Sequence, residues 1–197
     1  MTWVKVCGLR TVEAVEAAQE NGVDAVGLVF APASPRHVTV EHARELVEVA
    51  TVLTVAVTVD LDADSLLHLA ETTGVGAVQP HGANAAAAAR AALAAGLPVL
   101  RPVSAGEIES ISGVSPEELP LIDSDAIGGT GRTFDWSTIP PLERRFVLAG
   151  GLGVDNVADA IGAVKPWGVD ASSRLESAPG IKDLALVGEF IRRAKQA

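Results

Sequence analysis

A single cysteine among 197 residues has no partner for an intramolecular disulfide, so a reducing compartment is the expected home of the chain. Tyrosine is absent and aromatic residues make up only 4%. The core must therefore come from Val, Leu, Ile and Ala, and at 48% apolar residues there is enough to bury a large one rather than leave the chain disordered. Positive charge is also scarce. Fifteen Lys and Arg stand against 25 Asp and Glu, a formal charge of −10. No run of five or more basic residues interrupts that field, which argues against nucleic acid or anionic lipid as partners. The opening Met-Thr-Trp-Val-Lys-Val lacks the long apolar core of a signal peptide. The Ala-rich stretch 83–96 contains Arg90 and is too short to span a bilayer. A cytoplasmic protein without a membrane anchor is expected.

Several chemistries lack their residues. The four histidines, His37, His42, His68 and His81, are dispersed, and none pairs with Asp, Glu or Cys at the spacing of a zinc site. No Ser-His-Asp set, Walker loop or dinucleotide fingerprint is present. Proton transfer without a metal remains.

What is present is alternation. Short β-branched runs predict strands over 4–7, 25–29, 53–59, 77–79, 98–101, 119–123, 146–149 and 169–171. Helical spacing predicts helices over 12–21, 40–51, 65–73, 85–95, 156–164 and 184–195, with weaker ones near 106–112 and 137–142. Thr11 and Asp183 are placed to cap the first and last helices. Strand–helix alternation implies a parallel sheet with right-handed crossovers. About eight units fit an α/β (β/α)8 barrel better than a doubly wound open sheet, and residues 1–197 are read as a single domain.

Barrels of that kind carry their chemistry at the C-terminal ends of strands. Cys7 ends the first strand on the same face as Lys5, whose ammonium would favour a thiolate; the alternative is a small buried thiol. Asp123 ends the sixth strand. Desolvation there would raise its pKa and suit a general acid, or the side chain could simply cap the following turn. The Gly-rich segment 128–136 has the character of a loop over an active site. Gly150 and Gly151 follow strand seven and Ser172 and Ser173 follow strand eight, where barrels build phosphate sites from backbone N–H groups, unless these are ordinary tight turns. Arg36 is either a carboxylate grip or a solvated surface arginine. Gln79 and His81 share a face at the end of strand four and could donate hydrogen bonds or be rim residues. An anionic substrate would be opposed by the bulk field and attracted only by local arginines and backbone groups.

Seven segments form a recognisable order: Lys5-Val6-Cys7-Gly8-Leu9; Gly27-Leu28-Val29-Phe30 through Ser34-Pro35-Arg36; Val78-Gln79-Pro80-His81-Gly82; Asp123; Gly128-Gly129-Thr130-Gly131-Arg132-Thr133-Phe134-Asp135-Trp136; Leu148-Ala149-Gly150-Gly151-Leu152; and Gly168-Val169-Asp170-Ala171-Ser172-Ser173. Together they resemble the phosphoribosylanthranilate isomerase family of tryptophan biosynthesis, over essentially the whole chain to Pro179-Gly180-Ile181-Lys182-Asp183. The resemblance implies a cofactor-free Amadori rearrangement of an N-(5-phosphoribosyl)anthranilate. It casts Asp123 as the acid that opens the furanose ring and Cys7 as the base that takes the C2 proton. It gives Arg36 the anthranilate carboxylate, His81 a substrate contact and Asp170 the sugar or amine. The phosphate would lie on Gly150, Gly151, Ser172 and Ser173. A monomer or homodimer acting on a small phosphorylated molecule is expected.

Two positions depart from the family pattern. Arg174 stands where Gly is usual, and could add a charge to the phosphate site or crowd the loop. Pro80 replaces the usual Leu, removing a backbone N–H at the end of strand four. The competing readings are a related aminoaldose isomerase of histidine biosynthesis, or an enzyme handling both substrates, and a catalytically silent phosphosugar-binding barrel. The first of these families typically has an aspartate where this chain has Cys7.

Overall fold

In the computed structural model, which describes residues 1–124 and 135–197, eight parallel strands form a barrel. They are β1 (Trp3–Cys7), β2 (Ala25–Val29), β3 (Leu53–Val59), β4 (Ala77–His81), β5 (Leu100–Ser104), β6 (Leu119–Asp123), β7 (Val147–Leu148) and β8 (Gly168–Ala171). Hydrogen-bonded neighbours run β4-β3-β2-β1-β8-β7-β6-β5. Among the described residues six helices pack outside: α1 (Val12–Glu20), α2 (Val40–Val49), α3 (Ala63–Thr73), α4 (Ala85–Ala94), α5 (Val157–Val164) and α6 (Leu184–Gln196). Helices α1, α2, α3 and α6 begin where side-chain oxygens take up otherwise unpaired N–H groups. Thr11 accepts from the Ala14 N–H at 3.2 Å, and Asp183 accepts from Ala185 and Leu186 at 2.9 and 3.1 Å.

Period-two alternation divides each strand between two cores. Outward residues such as Val4, Val6, Val26, Leu28, Ile122 and Leu148 pack with Val15, Leu46, Leu66, Phe190 and Ile191 in one continuous layer beneath the helices. Inward residues Ala25, Val55, Ala77, Leu100, Leu121 and Val147 fill the lower barrel. Among the described residues, no helix is long and apolar enough to cross a membrane.

The predicted elements shift most around β5 and β6. The strand expected over 98–101 runs instead over Leu100–Ser104, beyond Pro98. The weak helices expected after β5 and β6 are 3-10 turns, over Ala105–Gly113 and Trp136–Thr138. Glu107, at φ −125° and ψ 34°, breaks the first, whose Ser, Gly and Ile content favours helix poorly. The second stops before Pro140-Pro141, since the residue before a proline is driven out of helical geometry.

Between β4 and β5 the ring closes through a lone bridge, Val78 to Val99. The Val78 N–H donates to the Pro98 carbonyl at 3.0 Å, so even-numbered residues on both strands turn their backbone groups toward this seam. Pro80 and Pro102 are the next even-numbered residues that would donate across it, and neither has an N–H. The departure at Pro80 therefore removes a rung of the ladder.

Candidate active site

A cavity of about 460 Å³ opens at the C-terminal ends of the strands, within the usual range for a small-ligand site. Cys7, Val29, Val57, Gln79, His81, Asp123 and Asp170 form its floor and walls, and the segments 31–36, 149–152 and 171–173 form its rim.

Cys7 is buried at the end of β1. Its neighbour on β2 is Gly27, where a Cβ would stand 2.8 Å from the Cys7 Sγ. Glycine leaves the thiol its space. Lys5 is fully buried one layer below, as the alternation predicts, but its Nζ donates to Asp170 Oδ2 at 2.8 Å. Burial alone would pull the Lys5 ammonium down; the Asp170 charge, and after it Cys7, hold it above its ordinary value. Lys5 favours the thiolate as expected, being after burial the largest influence on Cys7, although it shares its charge with Asp170. Burial pushes the Cys7 thiol above 9.0, Lys5 and Lys182 pull against that rise, and Asp170 adds to it. Asp170 keeps Oδ1 buried and without a hydrogen-bond partner among the described residues.

Asp123 ends β6, three places from β1 around the sheet, and so meets the cavity from another wall. It is buried and accepts from Ser124 Oγ at 3.1 Å. Gly150, at φ +86°, lies against this turn, and a Cβ there would come within 2.5 Å of the Ser124 nitrogen. Only glycine lets the loop after β7 close down beside Asp123 and Ser124.

The remaining expected contacts surround these two. Gln79 Nε2 lies 3.0 Å from His81 Nε2, with both side chains buried at the end of β4. Ser172 Oγ donates to the Cys7 carbonyl at 2.9 Å, linking the end of β8 to the end of β1. Gly150, Gly151, Ser172 and Ser173 all line the cavity. Arg36 does too, yet its Nε and Nη2 already donate to Glu176 Oε1 and Oε2, at 2.6 and 3.0 Å. Two of its five N–H donors are engaged in that fork. Among the described residues, no three His, Cys, Asp or Glu are grouped to hold a metal ion.

Residues 4–193 match the model of the N-(5'-phosphoribosyl)anthranilate (PRA) isomerase family. The chain belongs to the phosphoribosylanthranilate isomerase family. An N-(5'-phosphoribosyl)anthranilate isomerase from Bradyrhizobium sp. (strain ORS 278) is 38% identical over 98% of this chain and 95% of its own length. The phosphoribosylanthranilate isomerase of Thermotoga maritima superposes with a TM-score of 0.89 at 36% identity, covering all of both chains. A phosphoribosylanthranilate isomerase in complex with reduced 1-(o-carboxyphenylamino)-1-deoxyribulose 5-phosphate matches at TM-score 0.88 and 36% identity, again over all of both chains.

As a phosphoribosylanthranilate isomerase family member, the chain uses its unusual Arg174 differently from the sequence expectation. Arg174 does not line the cavity. Its Nη2 donates to both carboxylate oxygens of Asp155, at 2.9 and 2.7 Å, and its Nη1 to the Gly151 carbonyl at 3.1 Å. A nearby carboxylate captured the guanidinium, which spacing along the chain could not reveal. The structure brings the other nine expected site residues to one cavity. The Gly-rich segment 128–136 lies outside the described residues except for Asp135 and Trp136.

Two residues escaped the sequence reading. Glu176 and Lys182 pair across an antiparallel hairpin of β9 (Glu176–Ala178) and β10 (Ile181–Lys182). Their Nζ–Oε1 distance is 2.8 Å, and both side chains are buried. The signal was present in Pro179-Gly180, a turn-forming pair with Gly180 at φ +79°. Such a turn brings its flanking residues face to face.

Proposed function

We propose that this chain catalyses the Amadori rearrangement of N-(5-phosphoribosyl)anthranilate to 1-(2-carboxyphenylamino)-1-deoxyribulose 5-phosphate, with Asp123 as general acid and Cys7 as general base. The observation that carries these roles is the placement of both groups on different walls of one cavity. The reaction needs a proton delivered to the ring oxygen and another removed from C2 of the same small sugar.

Asp123 protonates the furanose oxygen, the C1–O bond breaks, and a Schiff base forms with the anthranilate nitrogen. The Cys7 thiolate removes the C2 proton and leaves an enolamine. Tautomerisation returns a proton to C1 and gives the C2 ketone. Arg36 takes the anthranilate carboxylate with the donors that Glu176 does not use. The phosphate lies on the loops around Gly150, Gly151, Ser172 and Ser173. Asp170 Oδ1, a buried acceptor lacking a partner among the described residues, suits a sugar hydroxyl or the amine. His81, fixed by Gln79, completes the wall.

Turnover of freshly generated phosphoribosylanthranilate, followed by loss of its fluorescence, tests the reading. The wild type should be active, and Cys7→Ala and Asp123→Asn should each fall by about 10²–10⁴-fold, the share that general acid or base catalysis supplies. A folded, phosphate-binding wild type without turnover would overturn it.

A further inference from the structure

Glu176 is the hub of a buried cluster beside the cavity. It binds Arg36 through both carboxylate oxygens, Lys182 through Oε1, and the Gly180 N–H through Oε2 at 3.2 Å. From the same hairpin, Lys182 Nζ reaches the Ser172 carbonyl at 2.9 Å and the Ser172 hydroxyl at 3.3 Å. That hydroxyl in turn donates to the Cys7 carbonyl. Lys182 is therefore two hydrogen bonds from the Cys7 backbone, and its side chain is only 2% exposed.

The charges around the thiol do not balance. Lys5 faces Asp170, one cation against one anion. Arg36, Glu176 and Lys182 contribute two cations against one anion. The hairpin therefore adds a net positive charge to the one that Lys5 already brings to Cys7 from the strand beneath it.

We propose that Lys182 is a positioning residue for the isomerisation, bringing that surplus charge from the β9–β10 hairpin to Cys7 and supporting its thiolate. The inference rests on the reading of Cys7 as the base. The groups that act on Cys7 are Lys5, Asp170 and Lys182, and those that act on Lys182 are Glu176, Cys7 and Arg36. Burial draws the Lys182 ammonium below its ordinary value, and Glu176 is the main force keeping it protonated.

The chain's composition allows a direct test. With one cysteine and no tyrosine, the rise in ultraviolet absorbance on alkalinisation reports the Cys7 thiolate without tyrosinate beneath it. Thiol titration and the pH profile of kcat would be measured for the wild type, Lys182→Met, Lys182→Gln and Lys182→Arg, with circular dichroism to confirm folding. Gln keeps a hydrogen-bond donor should the Met variant fail to fold. The Met and Gln variants should raise the Cys7 pKa by about one unit, leaving tenfold less thiolate at neutral pH. The rising limb of kcat should move by the same amount, and Arg should restore both. A folded Gln variant titrating like the wild type would overturn the proposal. So would an Arg variant shifted as far as Gln, since the role would then be packing. Because the titration is read without substrate, its outcome is independent of whether the reaction assignment stands.

Discussion

Charge pairing at single residues separates what holds the molecule together from what serves chemistry. Asp170 and Lys5 are buried together, so removing one leaves the other as an uncompensated charge in the barrel. Such losses cost about 3–5 kcal/mol. Asp170→Ala should lower the thermal midpoint sharply as well as activity, whereas Arg174→Ala should do neither. The Arg174–Asp155 pair is 33% and 63% exposed, and a pair of that exposure contributes at most about 1 kcal/mol. Thermal melts and turnover of the two variants side by side would check both statements. A large loss of phosphate affinity in Arg174→Ala would return that residue to the site. At this scale the sequence was legible wherever a side chain's place follows from strand parity and position, as for Cys7 and Asp123 in the cavity wall and Lys5 in the layer below. It was illegible wherever a partner distant in the chain decided the role. Asp155 turns Arg174 aside, Asp170 shares the charge of Lys5, and Glu176, 140 residues away, occupies part of Arg36.

Among the elements, β4 and β5 are joined by the fewest registered residues. Neighbouring pairs such as β2–β3 and β3–β4 are registered over five residues each, against the lone bridge at the seam. The loss of donors at Pro80 and Pro102 accounts for the difference, and among the described residues the connections after β5 and β6 hold 3-10 turns. Local openings follow the places where backbone hydrogen bonds are missing or exposed. Native-state hydrogen exchange should therefore find the Leu100 and Val103 amides exchanging before those of Val26, Leu28 and Val55. Equal protection on both sides of the barrel would contradict this account. Sequence periodicity located the elements well where β-branched runs are long, as in β3. It faltered around β5, where prolines interrupt the run, and it could not distinguish a weak helix from a 3-10 turn near Glu107.

For the whole molecule, acid is the informative stress. Burial pushes the Glu176 carboxyl upward, but Arg36 and Lys182 overcome this and hold it below its ordinary 4.5. A depressed carboxylate contributes stability that is fully present above its unfolded value and lost as pH falls through the folded one. The thermal midpoint of the wild type should therefore decline as pH drops below 4.5. Glu176→Gln should start lower at neutral pH, with two buried cations unmatched, and should fall less steeply in acid. A variant that melts in parallel with the wild type across that range would show that the hairpin cluster is not the acid-labile element.

The seam also bears on how the chain could be rearranged. Met1, Thr2, Gln196 and Ala197 line a single shallow depression, so the two ends of the polypeptide already lie side by side. A version spliced across that depression and reopened at Gly96, between α4 and β5, would lay down its strands in the very sequence in which they are hydrogen-bonded, from β5 round to β4. The barrel is in this sense a ribbon rolled until its edges meet. Its covalent numbering starts in the middle of the ribbon, with Cys7 on a central strand and Asp123 near one edge.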